Sequence, residues 1–138
     1  WGRPDMALFL FVKAAIENKE IEVYNYGKML RDFTYIDDVI EGLTKIIESN
    51  LENLETQNYK LYNIGNSNPA ELTDFIACIE EKLKVKIKKK LLPIQPGDVT
   101  STYADVSNLE RDYGYKPSTS IHSGISKFID WYKTYYSK

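Results

Sequence analysis

Two segments with helical periodicity, each preceded by residues typical of a helix start, constrain the fold most. Thr34-Tyr-Ile-Asp37 matches a capping box with Asp at its third helical position, and Asn68-Pro-Ala-Glu71 supplies an N-cap, a first-turn proline and a glutamate that can bond back to the cap. Between them, Leu61–Ile64 ends at Gly65 and predicts a short buried strand. The two apolar stripes consist of Ile36, Val39, Ile40, Leu43, Ile46 and Ile47, and of Leu72, Phe75, Ile76, Ile79 and Leu83.

The rest of the chain predicts three further helices and two further strands. Gly27 ends the first of these two strands, and Gly114 ends the short helix that precedes it in the sequence. The elements are expected as helices at about Pro4–Asn18, Val106–Tyr113 and Ile121–Tyr132, and as strands at Ile21–Val23 and, as an edge strand, around Val85–Ile87.

Composition limits the classes of function open to the chain. Its 138 residues suit one compact core, and a formal net charge of −2 disfavours general attraction to nucleic acid or to an anionic membrane. Six lysines between Lys82 and Lys90 alternate with apolar residues, which favours a solvated edge strand over a nucleic-acid patch. No apolar run approaches the ~20 residues that span a bilayer. The single cysteine, Cys78, excludes an internal disulfide, favours a reducing cytoplasm and is interpreted as packed rather than nucleophilic.

Arg31 is the first candidate for a binding role. It stands immediately before a predicted helix start, where free N–H groups and the helix macrodipole favour anions. Its guanidinium can chelate phosphate oxygens with two parallel hydrogen bonds, a geometry that suits a diphosphate. The alternative is a simple ion pair with Asp32 or another surface carboxylate, and sequence alone leaves both interpretations open.

The loop Gln95-Pro-Gly-Asp98 is the second candidate. Proline fixes the approach of the chain, glycine permits close backbone contact, and Asp98 can accept hydrogen bonds from sugar hydroxyls. Taken alone, Pro-Gly-Asp is simply a turn, and that interpretation is the more economical one.

Two familiar enzymatic patterns are excluded. Tyr24 and Lys28 formally fit Tyr-x-x-x-Lys, but that chemistry needs both side chains on one helix face, and here a strand pattern is broken by Gly27. No G-x-G-x-x-G or P-loop pattern occurs in the chain, so a complete dinucleotide site is not encoded. No catalytic residue and no metal ligand is expected among these residues.

Several motifs nevertheless share an order and spacing with one family. Over essentially its whole length the chain resembles the UDP-glucuronate 4-epimerases of the extended short-chain dehydrogenase/reductase superfamily. The motif that begins at Arg31 is shared by many sugar-nucleotide epimerases and dehydratases, whereas the motifs that begin at Gly2 and Gln95 point to the uronate branch. The motifs are Gly2-Arg-Pro-Asp-Met-Ala7, Val23-Tyr-Asn-Tyr-Gly27, Arg31-Asp-Phe-Thr-Tyr-Ile-Asp-Asp38, Tyr62-Asn-Ile-Gly-Asn66 and Gln95-Pro-Gly-Asp98.

The resemblance implies an α/β fold, the C-terminal part of an extended Rossmann-type epimerase. Residues 1–138 would form its substrate-binding portion, a helix and strand of the parallel sheet plus the small mixed α/β lobe, with residues 34–66 at the edge of the NAD-domain sheet. The chain opens without Met, which fits a portion of a longer protein. That protein would be a cytoplasmic homodimer whose N-terminal domain holds the glycine-rich NAD site and the catalytic residues.

The resemblance also implies residue roles. Arg31 would bind the diphosphate, Asp98 a ribose hydroxyl, and the backbone of Val23 and Tyr24 the uracil. Two further residues complete this set: Arg3, expected at the sugar carboxylate, and Gln95, which stands where many relatives outside the uronate branch carry an arginine.

The implied reaction is C4 epimerisation of UDP-glucuronate to UDP-galacturonate, in which bound NAD⁺ takes hydride from C4 and returns it to the other face. Because the residues named above only bind and orient, this chain alone is expected to be inactive. The alternatives are a nucleotide-sugar dehydratase or decarboxylase, or a standalone UDP-sugar-binding or interaction module.

Overall fold

The computed structural model describes residues 5–50 and 60–136. The chain divides into two compact units, made from the described residues of the following ranges. The first unit comprises Trp1–Leu30, Ala70–Ser101 and Ser120–Lys138, and the second comprises Arg31–Pro69 and Thr102–Thr119. The helices in this described part are α1 (Ala7–Ile16), α2 (Ile36–Asn50), α3 (Leu72–Leu83), α4 (Ser107–Tyr113) and α5 (Ile121–Tyr136), and the strands are β1 (Glu20–Val23), β2 (Leu30–Arg31), β3 (Ala70–Glu71) and β4 (Lys88–Leu91).

A parallel pair of strands lies at the centre of the first unit. β1 pairs with β4 in a register that runs from Glu20 opposite Lys88 to Val23 opposite Leu91. Alternate residues of β1 are buried, as the period-two pattern requires. Beyond the strand ends, the Leu92 N–H donates to the Val23 carbonyl at 2.9 Å, which extends the pairing by one step. Short two-residue strands, β2 and β3, form a second pair.

Three helices supply the core of the first unit. α3 packs against both α1 and α5, and each helix contributes a side chain with almost no exposed surface, namely Val12, Ile79 and Ile129. The rings of Phe9 on α1 and Phe128 on α5 meet edge to face, with centroids 4.9 Å apart. The amphipathic patterns of the sequence therefore face this core.

The lysine-rich segment is held by a buried carboxylate. Glu80 on α3 is buried, and its two oxygens accept hydrogen bonds from the Ile87 N–H at 2.9 Å, Lys89 Nζ at 2.6 Å and Lys86 Nζ at 3.2 Å. Burial alone would favour the neutral acid, but these hydrogen bonds outweigh it and lower the pKa of Glu80. Lys90 pairs with Glu22 at 3.2 Å. These ion pairs favour the structural interpretation of the lysines.

The second unit is built around a small core under α4. Val106, Leu109 and Tyr115 are buried there, with Ile46 of α2 and Ile64 packed against them. The buried Tyr115 hydroxyl donates to the Gly65 carbonyl at 2.9 Å, so the ring is anchored at its polar end. α2 and α4 pack together over this core.

The predicted helices are all present, but α1 begins at Ala7 rather than about Pro4 and α4 at Ser107 rather than Val106, and α2 and α3 also start later than predicted. Val39 N–H donates to the Tyr35 carbonyl, so Tyr35 is the N-cap of α2 and Thr34 lies one residue outside the helix. The cap prediction at Asn68 was also wrong, because α3 begins at Leu72. The segment between Asn68 and α3 makes tertiary contacts instead. Ala70–Glu71 pairs as β3, and the Leu72 N–H donates to the Met29 carbonyl at 2.9 Å.

The strand predictions are only partly confirmed. The strand at Ile21–Val23 is present as β1, whereas the edge strand lies at Lys88–Leu91 rather than around Val85–Ile87. Leu61–Ile64 pairs with no other strand in the described part of the chain, and Leu61 is 72% exposed. A strand needs a neighbour for its N–H and C=O groups, and the described residues supply none beside this segment.

Gly65 is the position in the second unit where a side chain is least tolerable. A Cβ there would overlap the methyl of Ala104 and lie 3.1 Å from Asp32 Oδ2. We therefore expect Gly65→Ala to lower the free energy of unfolding by about 1–3 kcal/mol through overpacking, as measured by urea denaturation. Ala104→Gly in the same chain should restore part of the loss, and an unchanged midpoint for Gly65→Ala would contradict this packing.

Candidate functional site

The predicted binding residues divide between the two units. Val23, Tyr24, Gln95 and Asp98 belong to the first unit, and Arg31 belongs to the second. Arg3, the candidate for the sugar carboxylate, lies outside the described residues. Each unit therefore holds its own set of candidate groups.

Val23 and Tyr24 lie where β1 ends and the backbone turns into a left-handed run. Val23 is buried, and after Tyr24 the φ angles are 49° at Asn25, 53° at Tyr26 and 82° at Gly27. Positive φ is unfavourable for a bulky residue such as Tyr26, and strained backbone of this kind clusters at functional sites. Asn25 Nδ2 donates to the Lys28 carbonyl at 2.6 Å and holds the turn.

The geometry of this turn bears on whether Tyr24 and Lys28 could act as a Tyr-x-x-x-Lys pair. Tyr24 and Lys28 do not share a helix face, because the residues between them have left-handed rather than α-helical angles. The Tyr24 hydroxyl donates to Glu22 Oε2 at 2.9 Å, and this hydrogen bond to a carboxylate raises the pKa of Tyr24. A proton-transferring tyrosine needs the opposite shift, so these contacts do not support the motif, and its exclusion stays a prediction.

Tyr24 and Gln95 are brought together by the pairing of β1 with β4. The Gln95 side chain lies near the Tyr24 hydroxyl and slightly lowers the pKa of Tyr24, against the larger raising effect of Glu22. Lys90 Nζ contacts the same Glu22 carboxylate at 3.2 Å. A phenol, an amide and an ion pair thus lie together at one end of the small sheet, and all of them are able to make hydrogen bonds with a polar ligand.

The loop from Gln95 to Asp98 is a tight turn, as the simpler interpretation holds. The Asp98 N–H donates to the Gln95 carbonyl at 3.1 Å, and Gly97 has φ 83°. One carboxylate oxygen of Asp98 accepts the Val99 N–H at 2.9 Å. The loop is exposed, and a hydroxyl ligand for Asp98 stays a prediction.

Arg31, half-buried, is followed by a carboxylate that binds backbone rather than solvent. Asp32 Oδ2 accepts the N–H groups of Ser67 at 3.1 Å and Ala104 at 3.0 Å, and Oδ1 accepts that of Asn68 at 3.4 Å. The Asp32 N–H donates to Thr102 Oγ1 at 3.1 Å. Asp32 therefore joins two loops of the second unit to the start of its own segment.

Asp38 makes a similar set of contacts at the start of α2. It is 3% exposed and accepts the N–H groups of Ser118 at 3.3 Å and Thr119 at 3.1 Å, together with the Thr119 hydroxyl at 3.1 Å. Sequence reasoning missed the roles of both carboxylates. The available signal was the unusual density of aspartates in one short motif beside a helix start, since carboxylates there commonly bond backbone N–H groups.

Other reactive groups in the described chain have structural explanations. Cys78 is buried, and burial first, with nearby Glu81 and Asp74, raises the pKa of its thiol, so the packed interpretation is confirmed. Within residues 5–50 and 60–136 there is no group of three or more His, Cys, Asp or Glu side chains placed to hold a metal ion. The helices of the same described part are too short or too polar to cross a membrane.

Comparison with known proteins identifies the family. Residues 6–128 match the family model of GDP-mannose 4,6 dehydratase. The chain belongs to this family. The protein CapI of Staphylococcus aureus is 45% identical over 100% of this chain, which covers 45% of CapI. UDP-glucuronate 4-epimerase 4 of Arabidopsis thaliana is 38% identical over 99% of the chain, which covers 34% of that protein. The chain thus spans less than half the length of these relatives.

Solved structures confirm the predicted fold class. UDP-glucuronic acid 4-epimerase from Bacillus cereus, in complex with UDP-glucuronic acid and NAD, matches 97% of this chain and 41% of its own, with a TM-score of 0.83 and 32% identity. dTDP-glucose 4,6-dehydratase from Bacillus anthracis, in complex with NAD, matches 99% of this chain and 42% of its own, with a TM-score of 0.83 and 17% identity, which shows the fold alone. The chain has the fold of the corresponding part of these Rossmann-type enzymes.

The described residues do not fit the pyrophosphate of NAD. Such a site needs a glycine-rich turn between a strand and the N-terminus of a helix. The junction of β3 with α3, at Glu71 and Leu72, has no glycine, and the Leu72 N–H already donates to the Met29 carbonyl.

The hydrogen bond between Tyr24 and Glu22 makes a prediction about titration. In Glu22→Gln we expect the pKa of Tyr24 to fall towards its ordinary value of 10.0, because the charged acceptor that stabilises the protonated phenol is gone. The measurement is a pH titration of the tyrosine ring carbons by NMR. Glu20→Gln, which alters another exposed glutamate of β1, is the matched control and should leave the pKa of Tyr24 unchanged. Equal titration curves for both variants and the unchanged chain would contradict the contact.

Proposed function

We propose that this chain is the UDP-sugar-binding portion of an NAD-dependent nucleotide-sugar epimerase, and that the whole protein interconverts UDP-glucuronate and UDP-galacturonate at C4. The observation that carries the proposal is the likeness, over nearly the whole chain, to an epimerase solved with UDP-glucuronic acid and NAD. The identity to plant UDP-glucuronate 4-epimerases supports the same substrate class.

In this proposal Arg31 binds the diphosphate. Its guanidinium offers two parallel donors to phosphate oxygens, and half-burial strengthens each charge-assisted hydrogen bond relative to one in bulk water. The side chain leaves the backbone beside a peptide whose N–H donates to Thr102 Oγ1, so little backbone freedom would be lost on binding.

The nucleoside would bind in the first unit. Val23 and Tyr24 are proposed to meet the uracil, with Gln95 beside them and Asp98 accepting a ribose hydroxyl. The strained left-handed turn that follows Tyr24 supports this grouping, and Gln95 lies near the Tyr24 hydroxyl. Arg3 is proposed for the sugar carboxylate, because a guanidinium matches a carboxylate with two hydrogen bonds.

Hydride chemistry would belong to the rest of a longer protein, which would bind NAD and act as a homodimer. When bound there, NAD would take hydride from the sugar and return it. Residues 34–66 are proposed to lie at the edge of that nucleotide-binding sheet. One face of α2 supports this placement, because it exposes an apolar stripe: Ile36 is 59% exposed, Ile40 53%, Leu43 43% and Ile47 61%.

The stripe predicts self-association of the chain by itself. We expect sedimentation velocity to show concentration-dependent association that is reduced in the double variant Ile40→Lys and Leu43→Lys, because charge on the stripe opposes apolar contact. Leu91→Lys, which changes an exposed apolar residue of β4 in the other unit, is the matched control. A chain that stays monomeric at all concentrations would contradict the proposed role of this face.

The diphosphate role predicts a loss of affinity in Arg31→Ala. Calorimetric titration of the unchanged chain should show binding of UDP-glucuronate, UDP-galactose and UDP. In Arg31→Ala all three affinities should fall by about tenfold or more, since hydrogen bonds to charged groups contribute about 1.5–3 kcal/mol. Arg111→Ala is the control within the same unit, because Arg111 is an exposed arginine whose Nε donates to Asp112 at 2.9 Å. Similar losses in both variants would contradict the assignment, and a uronate preference that disappears in Arg3→Ala would support the carboxylate contact.

The same samples address the alternatives. With NAD and UDP-glucuronate added, we expect no turnover by chromatography, and epimerised product would contradict the proposed division of chemistry. A dehydratase or decarboxylase parent is favoured only by the family description and by fold likeness. A standalone binding module would be supported by a gene whose upstream sequence encodes no glycine-rich strand, turn and helix.

A further inference from the structure

The peptide that joins Arg31 to Asp32 is hydrogen-bonded at both of its polar atoms. Its N–H donates to Thr102 Oγ1 at 3.1 Å, and its carbonyl accepts the Phe33 N–H at 3.1 Å. A planar peptide fixed at both ends sets the backbone direction of the residues on either side. The base of the Arg31 side chain is therefore oriented before any ligand arrives.

The carboxylate of Asp32 anchors the residue that follows this peptide. Three backbone N–H groups, from Ser67, Asn68 and Ala104, converge on its two oxygens. Gly65 closes the same space, because a Cβ there would lie 3.1 Å from Asp32 Oδ2. A carboxylate with several N–H donors is held more firmly than one exposed to water, since each of these hydrogen bonds has a charged acceptor.

We propose that Asp32 is a positioning residue for phosphate binding, which acts by holding Arg31 in the orientation that chelates a diphosphate. This inference rests on the proposed function, because it assumes that Arg31 is the diphosphate ligand. The energetic reason is preorganisation: a guanidinium whose backbone is already fixed loses less freedom when it binds. All the residues involved belong to the second unit.

Asp38 provides the comparison that separates positioning from simple support. Its carboxylate also accepts two backbone N–H groups of the second unit, from Ser118 and Thr119, but it lies inside α2, away from the peptide that follows Arg31. Loss of either carboxylate should destabilise the unit, whereas only loss of Asp32 should affect the orientation of Arg31.

The test is a double-mutant cycle on the affinity for UDP, with Asp32→Asn, Arg31→Ala and the two combined. Asparagine keeps the shape of the side chain but turns one acceptor into a donor that faces N–H groups. We expect Asp32→Asn to weaken UDP binding by about tenfold in the unchanged background and to have no further effect in Arg31→Ala, as residues that act through one another are not additive. Asp38→Asn should leave the affinity for UDP within about twofold, when each protein is measured the same number of degrees below its own melting temperature.

Amide hydrogen exchange by NMR on the unliganded chain gives a readout that needs no ligand. Asp32→Asn should speed exchange at Asp32 and Phe33, and Asp38→Asn should not. Thr102→Val removes only the acceptor for the Asp32 N–H, so it should speed exchange at the same amides to a smaller extent. It replaces Asp32→Asn in this test if that variant does not fold. Unchanged exchange at these amides in the folded variants would overturn the positioning role.

The two proposals fail in different ways. If Arg31→Ala leaves UDP affinity unchanged, or the unchanged chain does not bind UDP, the diphosphate assignment for this chain is overturned and the positioning inference falls with it. If Arg31→Ala weakens binding but Asp32→Asn does not, or if their effects simply add, the positioning inference alone is overturned.

Discussion

The carboxylate of Asp32 joins segments that are far apart in sequence, with partners 35, 36 and 72 residues away. Without it, three backbone N–H groups would lose a charged acceptor, and partly buried donors left without a partner are costly. Behind these loops lies the small core formed by Val106, Leu109 and Tyr115. The close approach of Gly65 to Ala104 is possible only because the first has no side chain. The second unit thus depends on this acidic group as well as on its small apolar core.

The first unit distributes its charges differently. Glu22 on β1 accepts from the Tyr24 hydroxyl at 2.9 Å and from Lys90 at 3.2 Å, so the end of the small sheet is a network of satisfied polar groups. Such a network orients side chains rather than activating them, and the raised pKa of Tyr24 agrees with that. Both units therefore show features suited to holding a polar ligand.

Sequence periodicity predicted the helices well and their starts poorly. The stripe of α3 is buried at Phe75, Ile76 and Ile79 as expected because α1 and α5 pack against this helix, whereas the stripe of α2 is largely exposed. The start of α3 was predicted from Asn68 and Pro69, which are good local signals, but the Leu72 N–H that would close the first turn on the Asn68 carbonyl donates to the Met29 carbonyl instead. Local propensity is a weak prior there, since one tertiary hydrogen bond is worth as much as a cap.

The sequence by itself determined the order of the helices, the position of β1 and the family resemblance, because periodicity, turn residues and motif spacing are local properties. Only the tertiary structure decided that the aspartates of the Arg31–Asp38 motif bind distant backbone, that Tyr24 meets Glu22 and Gln95, and that Leu61–Ile64 has no strand beside it in the described residues. These are long-range pairings. Their partners are chosen by the path of the chain, which no short stretch of residues encodes.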